Sequence, residues 1–208
     1  MKKTTKVIIL ETALDLFNTQ GLSKVTLRTI ANNMGISQGN LNYHFKKRED
    51  IIEALYFQLI DRINESMSQI VENDNILKVL LDMSQSVMFN LFAYRFIMLD
   101  FVQIMRENGR IKLHFQALQK LREEQFLTFF EVLISAGVME KETLPNEYRN
   151  LCNRLQILGD FWISSAEISK GKLSKKSISK YGEIINQSIY PYMTEKGQKD
   201  YLLIMNNL

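Results

Sequence analysis

Cysteine and proline are nearly missing from this chain, and each shortage removes a class of structure. The single cysteine, Cys152, has no partner for a disulfide within the chain, which excludes a small disulfide-stapled secreted scaffold. Prolines stand only at 145 and 191, so residues 1–144 are free of the ring clash and lost N–H that break helices. Long apolar runs are also wanting. The most apolar stretch, Val79 to Ile104, is interrupted by Asp82, Arg95 and Asp100, short of the roughly 20 uninterrupted apolar residues of a membrane span. The N-terminal MKKTTKVIIL passes into amphipathic sequence and not into an apolar signal core, so no membrane partner is expected and the cytoplasm is the expected compartment. What remains is a 208-residue chain, 46% hydrophobic and 24% charged, with the balance of a folded protein. The expected class is all-α.

The formal net charge of +3 is unevenly spread. Residues 1–50 carry eight bases against four acids, whereas residues 51–208 hold 18 bases and 19 acids. A basic head on a neutral body suits a module that meets a polyanion, because neutralising phosphates releases condensed counterions. A merely solvated basic end fits the same charges.

Apolar spacing predicts a first helix from about Lys3 to Gln20, stopped at Gly21. Thr26 is placed to cap a short second helix that ends at Gly35, and Ser37 to cap a third, Gln38 to Phe45. A long fourth helix is expected from Asp50 to about Asn73, and a fifth capped by Asp74 and ending near 92–95. Helices at about 96–108 and 110–136 follow, the latter stopped by Gly137. Others are expected at 146–169, stopped by Gly171, and from Ser174 towards Pro191, with a short one in the tail from Thr194 to Leu208. The domain boundary is placed after residue 48: residues 1–48 as the basic head, 49–208 as a helical body.

The segment TLRTIANNMGISQGNLNYHF reads as a helix-turn-helix. Ala31 lets the second and third helices approach, and Gly35 can take a positive φ in the turn. Ile30, Ile36, Leu41 and Phe45 point to a miniature core with Leu14 and Phe17. That leaves Gln38, Gly39, Asn40, Asn42, Tyr43 and His44 for the exposed side, where Gln and Asn can pair with adenine. Lys46, Lys47 and Arg48 follow for phosphates, and Arg28 joins this basic set.

Residues Lys6 to Ile52 resemble the N-terminal domain of the TetR family of bacterial transcriptional regulators. The matching positions are Ala13, Phe17, Gly21, Val25, Thr26, Ile30, Ala31, Gly35, Ser37, Gly39, Leu41, His44 and Phe45. Asn42 stands where the family usually has tyrosine, and Arg48 where it has lysine. The resemblance implies backbone contacts from Thr26, Ser37, Tyr43 and Arg48, with Gln38, Asn40 and Asn42 toward bases.

A single short reading helix covers few base pairs, so a homodimer on a palindromic double-stranded operator is expected. The stripes Leu151, Leu155, Leu158, Trp162 and Ile178, Tyr181, Ile185, Ile189 fit the four-helix dimer bundle that the resemblance implies, and also fit packing against the chain's own core. The resemblance further implies a cavity for a small effector beneath the fourth helix, whose occupancy shifts that helix and respaces the two heads. Candidate lining residues are Phe89, Phe92, Phe96, Phe101, Met105, Phe126, Phe130 and Trp162, with Arg95, Arg106, His114 or Asp160 as polar anchors. An apolar or aromatic ligand is expected.

No phosphate-binding glycine loop, nucleophile elbow or zinc-ligand spacing is present, and His44 and His114 are far apart in sequence. Neither an enzyme nor a metal or cofactor site is expected. The expected function is therefore a DNA-binding regulator, most simply a repressor released by a ligand. The alternative is the same fold on dispersed DNA sites, recruiting a protein partner without an effector.

Overall fold

Helical punctuation is realised at most of the expected points in the computed structural model, which describes residues 4–70, 75–170 and 173–206. Eleven α-helices run among the described residues: α1 Thr5–Gln20, α2 Leu27–Asn33, α3 Gln38–His44, α4 Arg48–Ile70, α5 Ile76–Ala93, α6 Arg95–Leu99, α7 Phe101–Glu107, α8 Gly109–Ser135, α9 Glu147–Lys170, α10 Lys175–Gln187 and α11 Glu195–Met205. No strand is named among them; an isolated antiparallel bridge joins Met139 and Met193. The all-α expectation holds.

Two glycines end helices by the same device. Gly35 (φ 67°) and Gly137 (φ 69°) are left-handed. After α2, Ile36 N donates to Ala31 O and Gly35 N to Asn32 O; after α8, Val138 N donates to Leu133 O and Gly137 N to Ile134 O. This paired pattern satisfies the last carbonyls at a position where an L side chain would be strained.

Other expectations need correction. The single helix expected over 96–108 is two, α6 and α7, meeting at Asp100 (φ −103°, ψ 22°), where the backbone leaves the helical region. Lys3, the proposed cap Asp74 and the stop Gly171 lie outside the described residues. The observed cap of α5 is Asn75, whose Oδ1 accepts from the backbone N–H of Leu77 and Lys78 at 3.1 Å each. Ser174 opens α10 as expected, its backbone N–H donating to Ser177 Oγ at 3.3 Å.

The described chain falls into two compact units: residues 1–62 with 93–113, and residues 63–92 with 114–208. The sequence boundary after residue 48 follows the helix-turn-helix alone, whereas the first unit also takes in most of α4 together with α6 and α7. The core of this unit includes Ile9, Ala13, Leu16, Phe17, Ile30, Leu41, Phe45, Ile51, Leu55, Phe96 and Ile104. Leu14 and Ile36, expected in that core, are half-buried.

The second unit is built on Leu77, Leu81, Phe130, Leu133, Leu151, Ile189, Met193 and Tyr201. Among the described residues, α5 is the one helix whose length and composition suffice to cross a bilayer. Its Leu77, Leu80 and Leu81 belong to this core, and its Lys78 and Asp82 form an ion pair at 2.5 Å.

This packing revises the two body stripes. Leu151, Trp162, Ile178 and Ile189 are at most 3% exposed within one chain, so they fill its own core and offer nothing to a second copy. Leu155, Leu158, Tyr181 and Ile185 are half-buried. The apolar side chains that the same helices leave in solvent are Ile157, Phe161 and Ile168 of α9 and Ile184 of α10. The expected pocket residues are likewise dispersed. Phe96 stacks on Phe17 at 4.9 Å in the core of the first unit, where Phe101 is buried and Met105 half-buried. Phe89 is 54% exposed, so it walls no enclosed cavity. Phe92, Phe126, Phe130 and Trp162 belong to the second unit.

Candidate nucleic-acid interface

The loop before α2 and the turn before α3 both end in hydroxyl caps, and these set the geometry of the head. Thr26 Oγ1 accepts from Thr29 N at 3.1 Å, while Thr26 N donates back to Thr29 Oγ1 at 3.4 Å. Ser37 Oγ accepts from Asn40 N at 3.2 Å. Each cap occupies one otherwise free amide at a helix start, and neighbouring N–H groups still point outward with the positive end of the helix dipole. Leu41, fully buried, and Phe45, 5% exposed, anchor α3 from below.

With those two positions inward, Ser37, Gln38, Gly39, Asn40 and Tyr43 are exposed, Tyr43 by 79%. Thr26, Arg28, Lys46 and Lys47 are exposed around them. This is a short polar face with an aromatic hydroxyl and three cations at its border. Its groups can bond base edges and phosphates by the rules of groove recognition.

Three expected members are placed differently. Asn42 is half-buried, with Oδ1 enclosed and without a hydrogen-bond partner, so this oxygen is not offered to a base edge. It follows the buried Leu41 by one residue, about 100° around the helix, which turns it partly inward. His44 is half-buried, its ring edge-on to Tyr43 at 5.2 Å. Arg48 keeps its side chain 25% exposed, donating from Nη1 to Leu22 O at 3.2 Å and from Nε to Glu49 Oε1 at 3.3 Å. The charge stays at the rim of the face, but part of its donor set is already committed.

Behind this face the first unit is fastened by polar side chains that no periodicity announces. Asp50 Oδ2 accepts from Lys47 N at 2.9 Å, fixing the start of α4. Glu53 accepts from Asn108 Nδ2 at 3.1 Å and from Arg110 Nη1 at 2.6 Å. Asp100 is held by the Leu22 N–H near the Arg48 charge; burial nevertheless raises its pKa above the usual carboxylate range. Asn18 binds the α5–α6 junction. In the second unit, burial raises Asp160 to about 6 against the opposing pull of Arg122, and raises the enclosed Cys152 thiol to about 11, which leaves it unreactive. No group of three or more His, Cys, Asp or Glu side chains suited to a metal occurs among the described residues.

A capped helix-turn-helix with an exposed polar third helix defines a DNA-binding regulator, and the comparisons agree. Residues 9–55 match the family of bacterial regulatory proteins of the tetR type, and residues 46–201 match the TetR bacterial transcriptional repressor family. The chain belongs to the TetR family, whose members are transcriptional regulators and not enzymes.

The class C tetracycline repressor protein of Escherichia coli is 30% identical over 95 residues, covering 46% of this chain and 43% of that protein. The HTH-type transcriptional repressor KstR2 of Mycolicibacterium smegmatis is 33% identical over 64 residues, 31% of each chain. The match thus spans less than half the length of either curated relative. Among solved structures, a TetR-family regulator of Marinobacter aquaeolei VT8 shares the fold with a TM-score of 0.82 at 20% identity, covering 99% of this chain and 98% of that one. A transcriptional regulator from Saccharomonospora viridis, in complex with choline, has a TM-score of 0.73 at 18% identity, covering 91% and 97%.

Proposed function

We propose that this chain is a cytoplasmic, homodimeric repressor that reads a palindromic operator through α3 and leaves it when a small apolar or aromatic effector binds. The observation that carries this reading is the exposure of Ser37 to Asn40 and Tyr43 over a buried Leu41, bordered by Arg28, Lys46 and Lys47. Gln38 and Asn40 serve as base readers; Thr26, Ser37, Tyr43 and the cations bind the sugar-phosphate backbone. Two copies pair through the exposed stripe Ile157, Phe161 and Ile168 of α9 with Ile184 of α10. Their spacing puts the three α9 residues on one side of the helix.

The effector site lies in the second unit, at Trp162 and the facing Tyr181 ring, 5.6 Å away. Trp162 is 2% exposed, and its indole N–H is buried without an acceptor, which supports a ligand that carries one. Release requires the effector to bind the non-DNA conformation better, and the coupling is reciprocal.

The deciding experiment is selection of bound fragments from random DNA, followed by footprinting. An inverted repeat with half-sites about one or more helical turns apart is expected. Enrichment of unrelated sequences without symmetry would instead favour the reading in which the protein marks dispersed sites and recruits a partner.

A further inference from the structure

The carboxamide of Asn18, in the last turn of α1, bonds through both its nitrogen and its oxygen to a segment more than 70 residues away. Its Nδ2 donates to Ala93 O at 2.8 Å, and its Oδ1 accepts from Phe96 N at 3.1 Å. Phe96 N belongs to the first turn of α6, where amides lack intrahelical partners. The residue in the local cap position, Tyr94, supplies no side-chain cap. Asn18 therefore does the work of a helix cap from another helix. The link is reinforced from the far side, since Arg95 Nη2 donates to Asn18 O at 3.3 Å, a cation on a carbonyl at the negative end of α1. Beside it the Phe17 and Phe96 rings stack, each 1% exposed.

Within the first unit the backbones approach closely at α1–α2, α2–α3 and α1–α6. A restraint on the end of α1 is thus one packed helix removed from the exposed face of α3. We propose that Asn18 is a positioning residue for DNA binding: it fastens the start of α6 to the end of α1, and α1 carries that restraint through α2 to α3. This rests on the reading of α3 given above. Neither Asn18 nor residues 93–96 belong to the face that meets DNA; their effect is on how firmly that face is held.

The test compares the full chain with Asn18→Ala and Asn18→Asp, the latter keeping an acceptor but losing the donor to Ala93 O. Amide hydrogen exchange is followed without DNA, and affinity is measured for a fluorescent duplex carrying the sequence selected from random DNA. The expected result is faster exchange both at residues 97–100 and at residues 41–45. A loss of duplex affinity of about five- to tenfold should accompany it, with an unchanged salt slope because no phosphate contact is removed. Faster exchange confined to residues 97–100, with unchanged affinity, would make Asn18 a local cap and overturn the proposal. Where Asn18→Ala does not fold, Asn18→Ser replaces it, with the same two outcomes. A wild-type chain that binds no duplex at low salt would refute the reading of α3, while the exchange comparison would still decide whether the restraint reaches that helix.

Discussion

Gly197 lies so close to the carbonyl of Val138 that a Cβ built on it would stand 2.1 Å from that oxygen. The approach exists because Thr194 N donates to Val138 O at 3.1 Å, Glu140 N donates to Tyr192 O at 2.9 Å, and Lys196 Nζ reaches Ala136 O at 2.9 Å. The start of α11 is thereby laid against the turn that ends α8. Gly197→Ala must push backbone from backbone, and the expected cost is about 1–3 kcal/mol in urea unfolding. Gly182→Ala is the contrast, since its nearest neighbour is the Gln85 side-chain oxygen at 3.2 Å, a group able to rotate aside. A Gly197 variant as stable as the Gly182 variant would contradict the close approach.

The face of α3 makes separable predictions. Gln38→Ala should lower affinity for the selected operator by about 1–3 kcal/mol while leaving random DNA nearly unaffected. Lys47→Ala should weaken both and reduce the salt slope by about one. Binding isotherms at several salt concentrations distinguish them. Equal losses on all sequences for Gln38→Ala would remove it from the base readers.

Dimerisation through α9 and α10 is tested by charge. Ile168, 86% exposed, and Phe161, 43% exposed, are expected to tolerate Asp in the monomer but not across a pair of copies. Sedimentation of Ile168→Asp with Phe161→Asp should show monomers with weakened operator binding and an intact fold. Leu151→Ala, at a fully buried position, should instead cost about 2–5 kcal/mol of stability. A dimer that survives both aspartates would move the interface elsewhere.

Asp160 gives a pH dependence whose sign follows from its environment. Burial raises its folded pKa to about 6, above the unfolded value, so the native state holds the proton longer. This group's contribution to stability is therefore fully present below about pH 4 and falls as pH rises to about 6, the folding equilibrium weakening by at most about tenfold for each pH step of one. In Asp160→Asn that fall should be absent. The difference in unfolding free energy between wild type and variant, followed from pH 4 to 7, isolates the group from other carboxylates; a difference independent of pH would refute the assignment.

Much of the head was legible because its devices are local. Thr26 and Ser37 cap within three residues, and Gly35 marks a left-handed stop, as Gly137 does in the second unit, all readable from residue type and position. The membership of α6 and α7 in the first unit was not, because it rests on long-range contacts, such as the Asn18 bonds and the Phe17–Phe96 stack, that leave no periodic trace. The body stripes failed for another reason. Helix α9 is apolar on two sides, and spacing alone does not tell whether Leu151 and Trp162 or Ile157 and Ile168 face the chain's own interior. The inward turn of Asn42 depends on the depth at which Leu41 seats α3, a packing quantity that sequence does not carry.

The antiparallel bridge between Met139 and Met193 bears on the order in which the protein is made. Met193 and Tyr201 share a core with Leu77 and Leu133, so the second unit lacks part of its interior until residue 201 has been synthesised. The residues of the first unit all lie at or before position 113. On the ribosome, the DNA-binding unit has all of its own residues while the rest of the polypeptide is still being extended.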